Sequence, residues 1–121
     1  MAKISGLRRY YGSEAGNVLL GQLGFDILNA TSGTARVIDA GLTTSDTSAF
    51  GGTPNHDGTG AECWVCIQVN DPAGSCELSV KSLIGNDITD ITFTDGIKIY
   101  GVFSAVKLTG VAGDSLICYR G

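Results

Sequence analysis

The stretch Gly96 to Gly121, GIKIYGVFSAVKLTGVAGDSLICYRG, constrains the fold more than any other part of the chain. It reads as a long strand, a glycine-rich turn over Thr109–Asp114 and a last strand over Ser115–Arg120. Sheet residues running to within a residue or two of the terminus leave packing, not a tail, as the expected use of this stretch. Along Ile97 to Leu108 the alternation slips. Ile97 and Ile99 share one parity, whereas Val102, Val106 and Leu108 share the other. A bulge at Gly101 places both sets on one core face, because one inserted residue flips the register. Lys98, Tyr100, Phe103 and Lys107 are then expected to point outward.

The other strands follow from the same period. Glu62–Val69 (ECWVCIQV) is the central one, with Cys63, Val65, Ile67 and Val69 on one face and Trp64, Cys66 and Gln68 on the other. The Asn70–Ser75 linker is turn chemistry, and the spacing predicts a hairpin with Cys76–Ile84. Ile88–Phe93 is a further short strand, and Asp95-Gly96 turns the chain into the long one. Thr34–Ala40 alternates Ala35, Val37 and Asp39 against Arg36 and Ile38. Asn17–Asn29 is apolar but broken by Gly21 and Gly24, which favours strand–turn–strand over helix. The 18 glycines and only 2 prolines suit many turns between short strands. With 121 residues there is room for one core. The expected fold is all-β, a β-sandwich or jelly-roll-like domain of about eight short antiparallel strands over residues 17–121. An extended N-terminal arm over residues 1–16 precedes it.

Charge limits the partners. Lys3, Arg8 and Arg9 against Glu14 leave residues 1–16 at +2, so the remainder carries −6 of the net −4. An acidic body offers no footprint for nucleic acid. The basic arm, with Arg8, Arg9, Tyr10 and Tyr11, is suited to an acidic partner surface. No stretch approaches the ~20 apolar residues that span a bilayer. MAKISGLRRYYG lacks the apolar core of a secretion signal, so synthesis in the host cytoplasm without membrane insertion is expected. Charged residues make up only 17%, which fits a surface partly covered by neighbours.

The chemistry-bearing residues are few. Cys63-Trp64-Val65-Cys66 is a CxxC, with Cys76 and Cys118 elsewhere. In an alternating strand the pair points to opposite faces, which suits buried thiols; a metal site and a disulfide stay open as alternatives. Gly41–Gly60 (GLTTSDTSAFGGTPNHDGTG) is the main irregular segment, and loops of that length inside compact domains are usually functional or mobile. Phe50 is expected to pin it to the body or to a neighbouring subunit. Thr53, Asn55 and Asp57 superficially have calcium-loop spacing, but Trp64 stands where the twelfth ligand is needed. His56 has no nucleophile in a recognisable context, and neither GxSxG nor HExxH occurs. The chain is therefore expected not to be an enzyme and to need no cofactor. Tyr10, Tyr11, Phe50, Tyr100, Phe103 and Tyr119 could stack on carbohydrate or line an interface, and Phe50, Tyr100 and Phe103 are placed at a subunit interface.

The C-terminal stretch resembles the terminal hairpin of small tailed-bacteriophage virion proteins, a G-x-x-x-G-x-F-[ST]-x-[IV]-x-L-x-x-G-x-[IV]-x-[AC]-Y pattern. It runs here through Gly101, Phe103, Ser104, Val106, Leu108, Gly110 or Gly113, Ile117, Cys118 and Tyr119, closed by Arg120-Gly121. Ile88–Thr94 is similar to the ITIPAGV lead into that strand, without its proline, and the Thr109–Asp114 turn is longer than the usual one. The match covers roughly a fifth of the chain. The resemblance implies a capsid decoration (cement) protein, or a neck, tail or fibre component, of a kind that commonly oligomerises. The expectation is a non-enzymatic virion protein, a homotrimer that binds the major capsid protein or another virion protein. A receptor- or glycan-binding module using the Gly41–Gly60 loop is the first rival. A metal or redox module built on the four cysteines is the second.

Overall fold

A computed structural model describes residues 24–71 and 74–121. These hold seven strands and no helix: β1 (Phe25–Asn29), β2 (Arg36–Asp39), β3 (Trp64–Asn70), β4 (Ser75–Ser82), β5 (Ile88–Thr94), β6 (Lys98–Thr109) and β7 (Ser115–Arg120). Every pairing is antiparallel, in the order β1-β7-β3-β6-β4-β5 with β2 beside β6. The all-β expectation holds, with seven strands where about eight were expected. The arm (1–16), and residues 17–23 of the expected strand–turn–strand, lie outside the described residues.

The shape follows from β6. Its first half pairs with β3, from Gln68↔Lys98 to Trp64↔Phe103, and its second half pairs with β2 along the same edge, Arg36↔Leu108 to Asp39↔Ala105. On the other edge β4 accompanies the second half, Glu77↔Thr109 to Ser82↔Phe103. β3 thus ends beside the start of β6, whereas β4 begins beside its end. A straight strand of 12 residues is about 40 Å long. The link from Asp71 to Ser75 spans at most about 14 Å. Both pairings coexist only if β6 bends back, and its registers slip where it does so, between Tyr100 and Phe103 against β3 and between Phe103 and Ala105 against β4. The bend sets one layer (β1, β7, β3, first half of β6) against another (β2, second half of β6, β4, β5), a β-sandwich-like arrangement.

The core lies between these layers. Leu28, Trp64, Ile67, Val69, Leu116 and Cys118 from the first layer join Ile38, Cys76, Leu78, Val80, Val106 and Leu108 from the second in one buried cluster. Each such aliphatic side chain contributes about 1.5–3 kcal/mol on burial.

Three sequence expectations need correction. β3 and β4 form no hairpin, because β6 lies between them. β6 and β7 form none either: β7 sits between β1 and β3, and the 110–114 turn carries the chain from one layer to the other. Finally, strict alternation along β3 fails. Trp64 packs with Ile67 and Val69, since Val65 is an extra residue opposite β7 (Trp64↔Arg120, then Cys66↔Tyr119). The same parity shift removes the argument that Cys63 and Cys66 must face opposite ways.

Candidate functional site

The expected interface residues separate in the structure. Tyr100 is 61% exposed and points outward, as the alternation suggested. Phe103 does not. It is buried in the core cluster with its ring folded over Gly101, where a Cβ would stand 2.6 Å from Phe103 Cζ. The β6 bulges turn it inward, and the glycine makes room for it. Arg8, Arg9, Tyr10 and Tyr11 lie outside the described residues.

Phe50 holds the Gly41–Gly60 loop to its own domain. Its ring lies between Lys81 Nζ (5.4 Å) and Lys107 Nζ (5.8 Å), on the outer surface of β4 and β6. Lys81 also reaches Asp87 Oδ2 at 3.5 Å and Lys107 reaches Asp90 Oδ1 at 3.4 Å. The Ser82 N–H, followed by Lys81, holds the Asp87 carboxyl below the usual range. The Ser79 hydroxyl, followed by Lys107, does the same for Asp90. Asp90 has φ +49°, the left-handed conformation of a bulge in β5, and its N–H and carboxylate both bond to Ser79 Oγ.

The rest of the loop is tied down by its own polar groups. The buried Asp39 carboxylate on β2 accepts from Ser48 Oγ (2.5 Å) and the Ala49 N–H (2.9 Å). Asn55 uses its side-chain oxygen and its backbone N–H on Val37, completing the β2 edge that faces away from β6. Asp57 accepts from Thr44 Oγ1 at 2.9 Å, and Thr59 Oγ1 donates to the Ala40 carbonyl. Of the residues with calcium-loop spacing, Asn55 is thus engaged with β2 and Asp57 with Thr44 of the loop, and His56 Nδ1 lies 2.9 Å from the Asp57 carbonyl oxygen.

A second anchor joins residues far apart in the sequence. Asp26 of β1 accepts from Trp64 Nε1 (2.8 Å), Arg120 Nη2 (2.7 Å) and Arg120 Nε (3.2 Å), and Arg120 also donates to the Thr59 carbonyl. One carboxylate thus joins β1, β3, β7 and the end of the loop. Asp26 and Arg120 stand 94 residues apart in sequence.

All four cysteines are buried thiols. Burial pushes each above its ordinary range; for Cys76, with nearby Asp71 and Asp114 adding to it, the pKa is pushed up to about 11. Thiols held in that state are poor nucleophiles. Among the described residues, no group of three or more His, Cys, Asp or Glu is placed to share a metal ion.

Among the described residues, the outward face of the first layer exposes large apolar side chains. Register places Phe25, Tyr119, Cys66 and Tyr100 in one row across β1, β7, β3 and β6, and Ile27, Ile117, Gln68 and Lys98 in the next. Phe25 is 50% and Ile27 44% exposed. The Phe25 and Tyr119 rings meet edge to face at 6.1 Å, and Tyr119 Oη donates to Gln68 Oε1 at 3.0 Å. Comparison with protein-family models, with curated proteins and with solved structures gives no match to this chain.

Proposed function

We propose that this chain is a non-enzymatic bacteriophage virion protein, a capsid decoration (cement) protein that forms a homotrimer on the capsid and stabilises it. The observation that carries the reading is the resemblance of its C-terminal stretch to small virion proteins. Two features support it. Among the described residues, Asp26, Asp39 and Asp57 are spent on internal anchoring. The thiols are buried. In this reading Tyr100 lies at the subunit contact and the basic arm, with Arg8, Arg9, Tyr10 and Tyr11, lies across neighbouring capsid subunits. Many weak contacts that bridge capsid subunits stiffen a shell through avidity.

The test is co-sedimentation with expanded capsid shells, together with solution mass by light scattering. Binding with a three-chain mass, lost on deletion of residues 1–16, is the expected result. A monomer that leaves shell stability unchanged refutes it. One observation favours a second reading, a glycan-binding module: the Gly41–Gly60 loop is a built structure that presents exposed Thr43, Thr44 and Ser45. Glycan-array binding that disappears when the loop is shortened would select that reading.

A further inference from the structure

The two rows on the outward face of the first layer bring eight side chains together, and of these only Lys98 is charged. Phe25 and Ile27 are about half exposed, and Tyr119, Ile117 and Gln68 beside them are partly exposed. The Phe25 and Tyr119 rings stand at 60° to one another, an angled pair on adjacent strands. The bond from Tyr119 Oη to Gln68 Oε1 fixes that ring and turns the two donors of the Gln68 amide nitrogen away from it.

Three properties narrow what can sit there. Size comes first. Four strands at 4.7–4.9 Å spacing make a face about 19 Å wide, and two rows about 7 Å apart give it an area on the order of 300 Å². A stable protein partner buries about 800 Å² on each side, so this face alone does not hold a second folded chain. Shape comes second. An oily ligand binds in an enclosing cleft, whereas this is open sheet surface with polar donors among its apolar groups. Charge comes third, since residues 17–121 carry −6 and repel an anionic polymer. A neutral pyranose chain meets all three conditions. Its weakly positive C–H hydrogens rest on the electron-rich face of an aromatic ring, and its hydroxyls pair with amide and ammonium donors at the side.

We propose that this face binds a neutral polysaccharide, with Phe25 and Tyr119 as the stacking rings, Gln68 as a donor to sugar hydroxyls and Lys98 at the rim. Tyr100, two strands from Tyr119 and so about 10 Å away, lies beyond that contact and stays available to a neighbouring subunit. The site does not use the Gly41–Gly60 loop, and the inference rests on neither reading above.

The experiment is an array of neutral oligosaccharides, followed by gel electrophoresis of the full-length chain through neutral glucans and mannans. The expected result is retardation by at least one of them. It should weaken at least tenfold in Phe25→Ser and in Tyr119→Ser, and severalfold in Gln68→Leu, which keeps both rings. Emission from the fully buried Trp64 reports that each variant is folded. A chain that binds no neutral glycan overturns the proposal. Binding that survives all three substitutions in folded protein, or is lost only when the loop is shortened, also overturns it. A solution mass that falls to that of one chain in the same variants assigns the face to a second copy and overturns it too.

Discussion

Replacing Gly101 by alanine tests the packing of β6 at its bend. The new Cβ would stand 2.6 Å from Phe103 Cζ and 2.8 Å from Cε1, where carbon atoms ordinarily rest about 3.5–4.0 Å apart. The ring must therefore retreat by about 1 Å. It is 4% exposed and packed in the core cluster, so that retreat displaces other core side chains. Overpacking of this kind costs about 1–3 kcal/mol. The φ of Gly101 is not positive, so alanine returns about 0.4–1 kcal/mol by restricting the unfolded chain. The net loss is about 1–2 kcal/mol, or roughly 4–8 °C in Tm for a domain near this size. Urea unfolding followed by Trp64 emission reads it. The decisive comparison is the same substitution in a Phe103→Leu background, where the branched side chain no longer lies over position 101. There the cost should vanish, which gives a coupling of at least about 1 kcal/mol, well outside the roughly 0.3–0.5 kcal/mol error of additivity. If Gly101→Ala costs the same in both backgrounds, the glycine serves the backbone of the bulge, and the packing argument is refuted.

Three further outcomes are expected. Asp26→Ala leaves the buried Trp64 N–H without its acceptor and Arg120 without its carboxylate; with Arg120 still reaching water, the loss is about 2–3 kcal/mol, while Asp26→Asn, which keeps an acceptor, loses less, as urea midpoints should show. In a thiol-reagent assay at pH 8 none of the four cysteines of the folded chain reacts at an appreciable rate, and all four react in denaturant; a fast-reacting thiol in the native protein contradicts the burial described for it. The Asp87 and Asp90 carboxyls are held below their unfolded values, so each contributes stability that is fully present above the unfolded carboxylate range and is lost as pH falls below about 4 through the folded values. Urea midpoints of Asp87→Asn and Asp90→Asn should accordingly fall below wild type at pH 7 and converge with it at pH 2–3, a convergence that fails if these contacts are absent in solution.

Strand positions were legible because alternation and turn residues are local. β2 to β7 each fall within a residue or two of the stretches read from sequence. Which face a residue takes was legible only where no bulge intervened. The Gly101 region was recognised as irregular, but the parity shifts at Val65 and along Phe103–Ala105 turned Trp64 and Phe103 inward, and nothing in their immediate sequence states that. Strand neighbours were misread for another reason. Turn chemistry says where a chain reverses, and Asp71–Gly74 and Gly110–Asp114 reverse it into the opposite layer. At the candidate sites, composition marked the Gly41–Gly60 loop, whereas the hydrogen bonds that tie it to residues 37–40 join positions between 9 and 19 apart, beyond any local pattern. Asp26–Arg120 is the extreme case. A carboxylate at an odd position of an apolar strand was the only available hint.

The seating of β7 between β1 and β3 also sets the order in which the protein can be born. β1 and β3 leave the ribosome early, yet the strand that separates them is made after both, and Asp26 has its ion-pair partner only once Arg120 is made. Until residues 115–120 emerge, β1 lacks its partner strand and β3 is paired with β6 on one edge alone. Slow, late closure through contacts distant in sequence is what such topology imposes. During that interval those strand edges are open to pairing with neighbouring nascent chains.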